Sequence, residues 1–412
     1  MTPSTLVEPV CPGAVGGPNS TPAARTPYPE IEPQVGTGLV PTRCPIGAIP
    51  QETWDRLRGL NPWATPFSSW AFQRAWWDAY GANAEDETVV VLPADEMGRA
   101  IAGAEPVGIM PLMRRQEIEP ADEASHSRMR HSAAVERTAV PDRASAIFFG
   151  ASYHADYASL LTASRDLGPV AEALASYLAG PGGPSWDVVD LRRLRCGDPA
   201  AEALAVAFGR LEADRGWTLN LDREDVCPVV TLPEGASFED VLATLGSKDR
   251  HEIRRKIRRA EGVGPISLSR STDPLADLPA FIELHQKRWG DEGLFPDTPG
   301  GAASRTFFRR LFELMGPSGP LVLSFLAVGD RRIGAGVHLE DGPSLLYYNA
   351  GMDPDARELS PGVLMVSAYL EAALAGGFRR MDFLRGDEPY KYEWGAQDEP
   401  VQRLLVRRSV ST

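Results

Sequence analysis

The chain has 412 residues, enough for two or three domains at roughly 100 to 200 residues each, and its 43% hydrophobic and 24% charged fractions exclude wholesale disorder and fibrous repeats. Its formal net charge of -14 opposes bulk affinity for nucleic acid or an anionic membrane, so any basic site must be local. Cys11, Cys44, Cys196 and Cys227 are too scattered for paired metal-binding spacings and too few for a disulfide framework, so no metal is expected and a cytoplasmic setting fits.

Residues 1–47 are rich in Pro, Gly and Thr without the basic-then-apolar order of a secretory signal, and are expected to form a disordered tail. No apolar run approaches the roughly 18 residues of a spanning helix, so no transmembrane segment is predicted. Pro50 to Tyr80 reads as aromatic-rich helices, with Trp54, Trp63, Trp70, Phe72, Trp76 and Trp77 mostly as core residues. Thr88 to Leu92 and Pro106 to Met113 read as a hairpin, and the charged, aperiodic residues from about 115 to 145 as a long loop. Strands at Ala146 to Phe149 and Trp186 to Leu191, with helices at Leu167 to Leu178 and Pro199 to Arg215, complete a mixed α/β unit over 48–222.

A second unit, 223–412, repeats the pattern. Helices are predicted from Ser237, from Ser247, over Pro279 to Trp289 and over Ala303 to Met315, with a strand near Ile266 to Ser269. Strands at Leu321 to Ala327 and Arg332 to His338 are joined by the turn pair Gly329-Asp330, and Ser344 to Ala350 lies beside them. Ser360-Pro361 reads as an N-cap followed by proline at the first helical position, and Gly376-Gly377 ends that helix before a strand over Arg379 to Leu384.

That strand-to-helix order aims free amides and the positive end of a helix dipole at the space beyond the strand, which suits a phosphate. Ser360 and Gly362 would line such a site and Arg357 would add a charge-assisted contact; equally, Ser360-Pro361-Gly362 could simply start a packed helix. The densest polar run is Asp382-Phe-Leu-Arg-Gly-Asp-Glu-Pro-Tyr-Lys-Tyr-Glu-Trp-Gly395. Asp382 and Glu388 are candidate acids or ion-pair members, and Arg385 a candidate substrate contact. Lys391 could steady charge on an acyl tetrahedral intermediate, or be a surface lysine. In an extended segment Tyr390 and Tyr392 would face away from Lys391, and either phenol could donate a proton or pack.

His285 shares a helical face with Phe281, Leu284 and Arg288, and is a candidate general base or a buried structural histidine. The helix with Lys248, Arg250, Arg254, Arg255, Lys256, Arg258 and Arg259 has an apolar stripe at Ile253 and Ile257. It is mostly a solvated face, with Arg254 and Arg258 as candidate contacts for an anionic substrate such as RNA, phospholipid or a sugar nucleotide.

Together, Gly150 to Tyr157, Lys248 to Arg259, the Leu-His-x-x-Arg-Trp stretch at Leu284 to Trp289, Ser360-Pro-Gly362 and Asp382 to Gly395 resemble the CelD-like, cellulose-biosynthesis-type branch of the Gcn5-related acetyltransferases (GNAT), which is related to the Fem aminoacyltransferases. The resemblance spans Pro50 to Val410 and implies an α/β fold of two tandem GNAT-like domains, the C-terminal one catalytic. It implies acyl transfer from acetyl-coenzyme A or another acyl-coenzyme A to an amine or hydroxyl of a small-molecule, sugar or polysaccharide-precursor acceptor. His285 or a nearby carboxylate would take the proton, and Lys391, with Asp382, Glu388 and Tyr390, would serve catalysis. Arg288, Trp289 and Arg385 would join Arg254 and Arg258 on the substrate. The usual pyrophosphate loop, Gln or Arg followed by Gly-x-Gly or Gly-x-Ala, is reduced here to Arg357 and Gly362. Two alternatives stand beside this: a transferase using aminoacyl-tRNA on a cell-wall precursor, for which the basic helix would bind tRNA, and a non-catalytic glycan or nucleotide-sugar module.

Overall fold

The computed structural model describes residues 38–116, 144–215, 217–316 and 319–408. The N-terminal half contains β1 Leu39–Arg43, α1 Gln51–Leu60, α2 Trp70–Tyr80, β2 Glu85–Asp86, β3 Val89–Pro93, β4 Gly108–Met110, β5 Leu112–Arg115, β6 Ala146–Phe149, β7 Leu161–Thr162, α3 Leu167–Ala179, β8 Val188–Arg195 and α4 Pro199–Arg215. A long strand, β9 Trp217–Thr231, leads to α5 Phe238–Thr244, α6 Ser247–Glu261, β10 Ile266–Arg270, α7 Pro274–Trp289, α8 Pro299–Met315, β11 Leu321–Val328, β12 Arg331–Asp341, β13 Ser344–Met352, α9 Pro361–Ala375, β14 Arg380–Asp382, α10 Pro389–Tyr392 and β15 Gln397–Arg408.

The elements form a four-stranded sheet, β1-β3-β4-β7, and an eleven-stranded sheet, β10-β11-β12-β13-β14-β9-β15-β8-β6-β5-β2. The expected hairpin appears as β3 and β4, but Pro111, which has no N–H for a ladder, ends β4 and β5 passes into the larger sheet. Each half holds a parallel pair separated by a helix: β6 with β8 around α3, and β13 with β14 around α9. The last strand, β15, inserts between β9 and β8 and joins the halves into one mixed α/β sheet. β9 runs unbroken through the expected boundary at residue 222, and one buried cluster takes Phe72 and Trp76 from α2 together with Phe307 and Phe308 from α8.

Three boundaries differ from the sequence expectation. The expected tail already joins a sheet at β1, paired with β3; its first 37 residues, and 117–143 of the expected loop, lie outside the described residues. α7 starts at Pro274 because the Asp273 carboxylate accepts from the Ala276 amide, so Pro279 lies inside the helix instead of opening it. α8 likewise starts at Pro299, capped by Thr298, and a Cβ on Gly301 would lie 1.9 Å from the Pro296 carbonyl oxygen, so only glycine fits that first turn.

Candidate functional site

β13 and β14 pair over only three residues each, Ser344–Leu346 against Arg380–Asp382. Beyond Leu346, β13 runs on to Met352 while the other chain turns out through Leu384, a left-handed residue at φ 58°. The Leu384 amide donates to Asp382 Oδ1 at 2.7 Å, and that bond holds the turn. α7 lies directly against β13: a Cβ on Gly351 would come within 2.3 Å of the His285 backbone nitrogen, so glycine there lets helix and strand touch. That contact brings Arg288 to the opened edge.

Two cavities sit in this gap. The outer, about 340 Å³, is lined by Arg288, Arg357, Ser360, Gly362 and the Met352 to Pro354 turn. The inner, about 230 Å³, is lined by Arg288, Tyr347, Val366, Tyr390, Glu393 and Trp394. Arg288, Met352, Gly362 and Val363 line both, so the two adjoin. Arg357, Ser360, Gly362, Arg288 and Tyr390, separated in sequence, are thus brought together.

Ser360 departs from its expected role. It is left-handed, at φ 56° and ψ 57°, and its side chain makes no capping bond; its hydroxyl accepts from Arg259 Nη2 at 2.7 Å. Pro361 has no N–H, and the Val363 and Leu364 amides donate to the Ser360 carbonyl, so the first turn has little left to cap. Arg259, one of the basic-helix cations in the sequence, reaches Ser360 only because α6 ends beside the start of α9. Glu393, Tyr347 and Trp394 were not singled out as cavity residues.

Lys391 is not a free cation. It is 2% exposed, and its ammonium donates to the carbonyl oxygens of Leu384, Arg385 and Gly386 at 3.1, 3.0 and 2.9 Å and pairs with Glu388 at 2.9 Å. An ammonium has three donors, and all are committed to the turn. Glu388, expected as an acid, is exposed and held in that pair. The segment is helical, not extended: Tyr390 reaches the inner cavity, while the Tyr392 hydroxyl donates to Asp398 at 2.6 Å.

Asp382 is 1% exposed; its Oδ2 accepts from the Tyr157 hydroxyl at 2.7 Å, and burial above all raises its pKa. Arg385 donates to Asp156 at 3.2 Å and lines neither cavity. Arg254 pairs with Glu239, while Arg258 is exposed on α6 away from both linings. Trp289 donates from Nε1 to the Ala350 carbonyl at 3.3 Å, and the Arg288 guanidinium lies 4.5 Å from its ring centroid. His285 is 3% exposed behind the cavity wall; burial first and Arg288 second, against a hydrogen bond with Asn349, lower its pKa to about 4. Its Nδ1 makes no hydrogen bond among the described residues.

Among the described residues no group of three His, Cys, Asp or Glu side chains could hold a metal ion, and no helix is long and apolar enough to cross a membrane.

Residues 247–392, which include the diverging parallel pair and the start of α9, match the acetyltransferase (GNAT) domain family. The C-terminal half therefore carries an acyltransferase domain of the GNAT type. Among solved structures the chain is similar to FemX, at 9% identity and TM-score 0.53, covering 87% of this chain and 96% of that one. It also matches a conserved protein of unknown function from Bacteroides thetaiotaomicron VPI-5482, at 12% identity, TM-score 0.48 and 88% and 98% coverage. A tandem GNAT protein from the clavulanic acid biosynthesis pathway matches at 14% identity, TM-score 0.44 and 91% and 99% coverage. No curated protein sequence matches the chain.

Proposed function

We propose that the protein transfers an acetyl or other acyl group from acyl-coenzyme A to an amine or hydroxyl of a small-molecule, sugar or polysaccharide-precursor acceptor, as a CelD-like member of the GNAT superfamily acting in the cytoplasm. The observation that carries this is the pair of adjoining cavities, one beside arginines at the start of α9 and the other between the diverging strands. Arg357, Arg288 and Arg259 would hold the donor's phosphates with the help of the α9 dipole, leaving the thioester to enter the inner cavity. None of Arg259, Arg288 and Arg357 is in a salt bridge among the described residues, so their charge is available to an anion.

In this scheme the acceptor's lone pair attacks the thioester carbon, the tetrahedral intermediate collapses, and the thiolate leaves. The acceptor's proton goes to a group facing the inner cavity. Glu393, which lines it, is placed to take that proton, whereas the buried His285 imidazole lines neither cavity. Tyr390 lines the same cavity, and its phenol, protonated at neutral pH, is placed to hydrogen-bond the departing thiolate.

The tRNA alternative draws less support, because Arg254 is paired with Glu239 and both Arg255 and Lys256 with Glu252, which offsets much of the positive charge of α6. The test is incubation of the purified protein with a panel of acyl-coenzyme A donors, followed by calorimetry and mass spectrometry of bound donor and products. Binding that weakens in Arg357→Gln supports acyl-coenzyme A; failure of every donor to bind excludes it.

A further inference from the structure

The Gly150 to Tyr157 segment, noted in the sequence but given no role in the reaction, lies against the opposite side of the same turn. It is firmly seated. His154 stacks on Phe307 with centroids 4.3 Å apart and an interplanar angle of 15°, its Nε2 bonds the Tyr80 hydroxyl at 2.7 Å, and the Tyr348 hydroxyl donates to its carbonyl at 3.0 Å. The Ala158 amide donates to the Arg193 carbonyl at 2.9 Å, and the Arg195 guanidinium lies 4.8 Å from the Tyr157 ring centroid.

From this base Asp156 and Tyr157 reach the C-terminal half. The Tyr157 hydroxyl donates to Asp382 Oδ2, Asp382 Oδ1 accepts the amide of left-handed Leu384, and Asp156 accepts from Arg385 in the same turn. The turn's carbonyls hold Lys391, which belongs to α10, and Tyr390, Glu393 and Trp394 on or just after α10 wall the inner cavity. A continuous chain of buried and partly buried polar contacts thus runs from the N-terminal half to the cavity wall.

We infer that Asp156 and Tyr157 are positioning residues for the inner cavity, which gives the N-terminal half a direct part in shaping the active site of the C-terminal one. That the cavity holds the thioester rests on the proposed acyl-coenzyme A function; the mechanical link does not. Neither residue touches the reacting atoms. Their hydrogen bonds fix a strained turn that would otherwise relax, and α10 would relax with it.

The test uses Tyr157→Phe, which keeps the ring and removes only the hydroxyl, and Asp156→Asn, each in the full chain. Hydrogen exchange by mass spectrometry should show the 384–395 segment exchanging about tenfold faster in both variants, while α9 and β3 keep wild-type protection. The affinity for acetyl-coenzyme A should fall about fivefold or more, and exchanging the charges in Asp156→Arg with Arg385→Asp should restore much of it relative to either change alone. Unchanged exchange over 384–395, or faster exchange spread evenly over both halves, overturns the inference. If Tyr157→Phe does not fold, Asp156→Asn carries the same comparison. If the wild type binds no acyl-coenzyme A yet the local exchange effect appears, the proposed function falls and the positioning link stands.

Discussion

Lys391→Met should cost stability before it costs chemistry. The side chain is almost wholly buried and its ammonium meets the carbonyl oxygens of Leu384, Arg385 and Gly386. Methionine fills similar volume but donates nothing, so two buried acceptors and one partly buried acceptor lose their donor, at about 1 kcal/mol or more each. The Glu388 partner is 55% exposed and adds little. The total is about 3–5 kcal/mol, the range expected for removing one member of a buried charged contact. With a urea dependence of about 3 kcal/mol per molar, the unfolding midpoint should fall by about 1–2 M. Urea titration followed by tryptophan fluorescence reads this directly, and donor binding by the folded fraction should weaken as the turn loosens. A Lys391→Met protein with the wild-type midpoint and donor affinity but no turnover would refute the reasoning, and would return Lys391 to the role of a catalytic cation.

Removing a single cation beside the outer cavity, as Arg259→Gln or Arg357→Gln, should weaken acyl-coenzyme A binding by about tenfold, near 1.4 kcal/mol, with a smaller loss at high salt; calorimetry at two ionic strengths checks both. The double reversal Arg254→Glu with Arg258→Glu should leave donor affinity within about twofold, because neither side chain lines a cavity or, unlike Arg259, hydrogen-bonds a residue that does; a large loss in the same titration would place the donor along α6. His285 and His154 have pKa values lowered to about 4 and about 3 from 6.5, so both are neutral in the folded protein and the unfolded chain binds more protons as pH falls. Stability is then full above about pH 6.5 and declines from there toward pH 4, by about 3 kcal/mol for His285 alone. Urea midpoints at pH 7 and pH 4.5 should differ less in His285→Gln than in the wild type; an equal difference would contradict the assignment.

The fold was legible wherever local chemistry decided it. β6, α4 and the end of α9 at Gly376-Gly377 follow from apolar runs and glycine punctuation, and the β11–β12 hairpin from Gly329-Asp330. The start of α7 was misjudged because Pro279 looks like a first-turn proline, whereas Asp273-Pro274 supplies both cap and proline one turn earlier. Of the candidate residues, Arg357, Ser360, Gly362, Arg288 and Tyr390 line the two cavities. What could not be read locally depends on long-range packing. Whether Lys391 is free or committed turns on a left-handed Leu384 that aims three carbonyls at one ammonium. Asp382 and Arg385 find their partners, Tyr157 and Asp156, more than 200 residues away. Arg259 joins Ser360 only because α6 ends beside the start of α9.

The central claim is that the opened edge between β13 and β14 holds an acyl-coenzyme A, and direct calorimetric titration of the intact protein with acetyl-coenzyme A and longer acyl-coenzyme A donors tests it. Saturable one-to-one binding of at least one donor, weakened in Arg357→Gln and Arg259→Gln but not in the Arg254 and Arg258 reversal, is the expected result. No heat of binding from any donor, with a folded protein that binds aminoacyl-tRNA in a salt-sensitive manner, would contradict it.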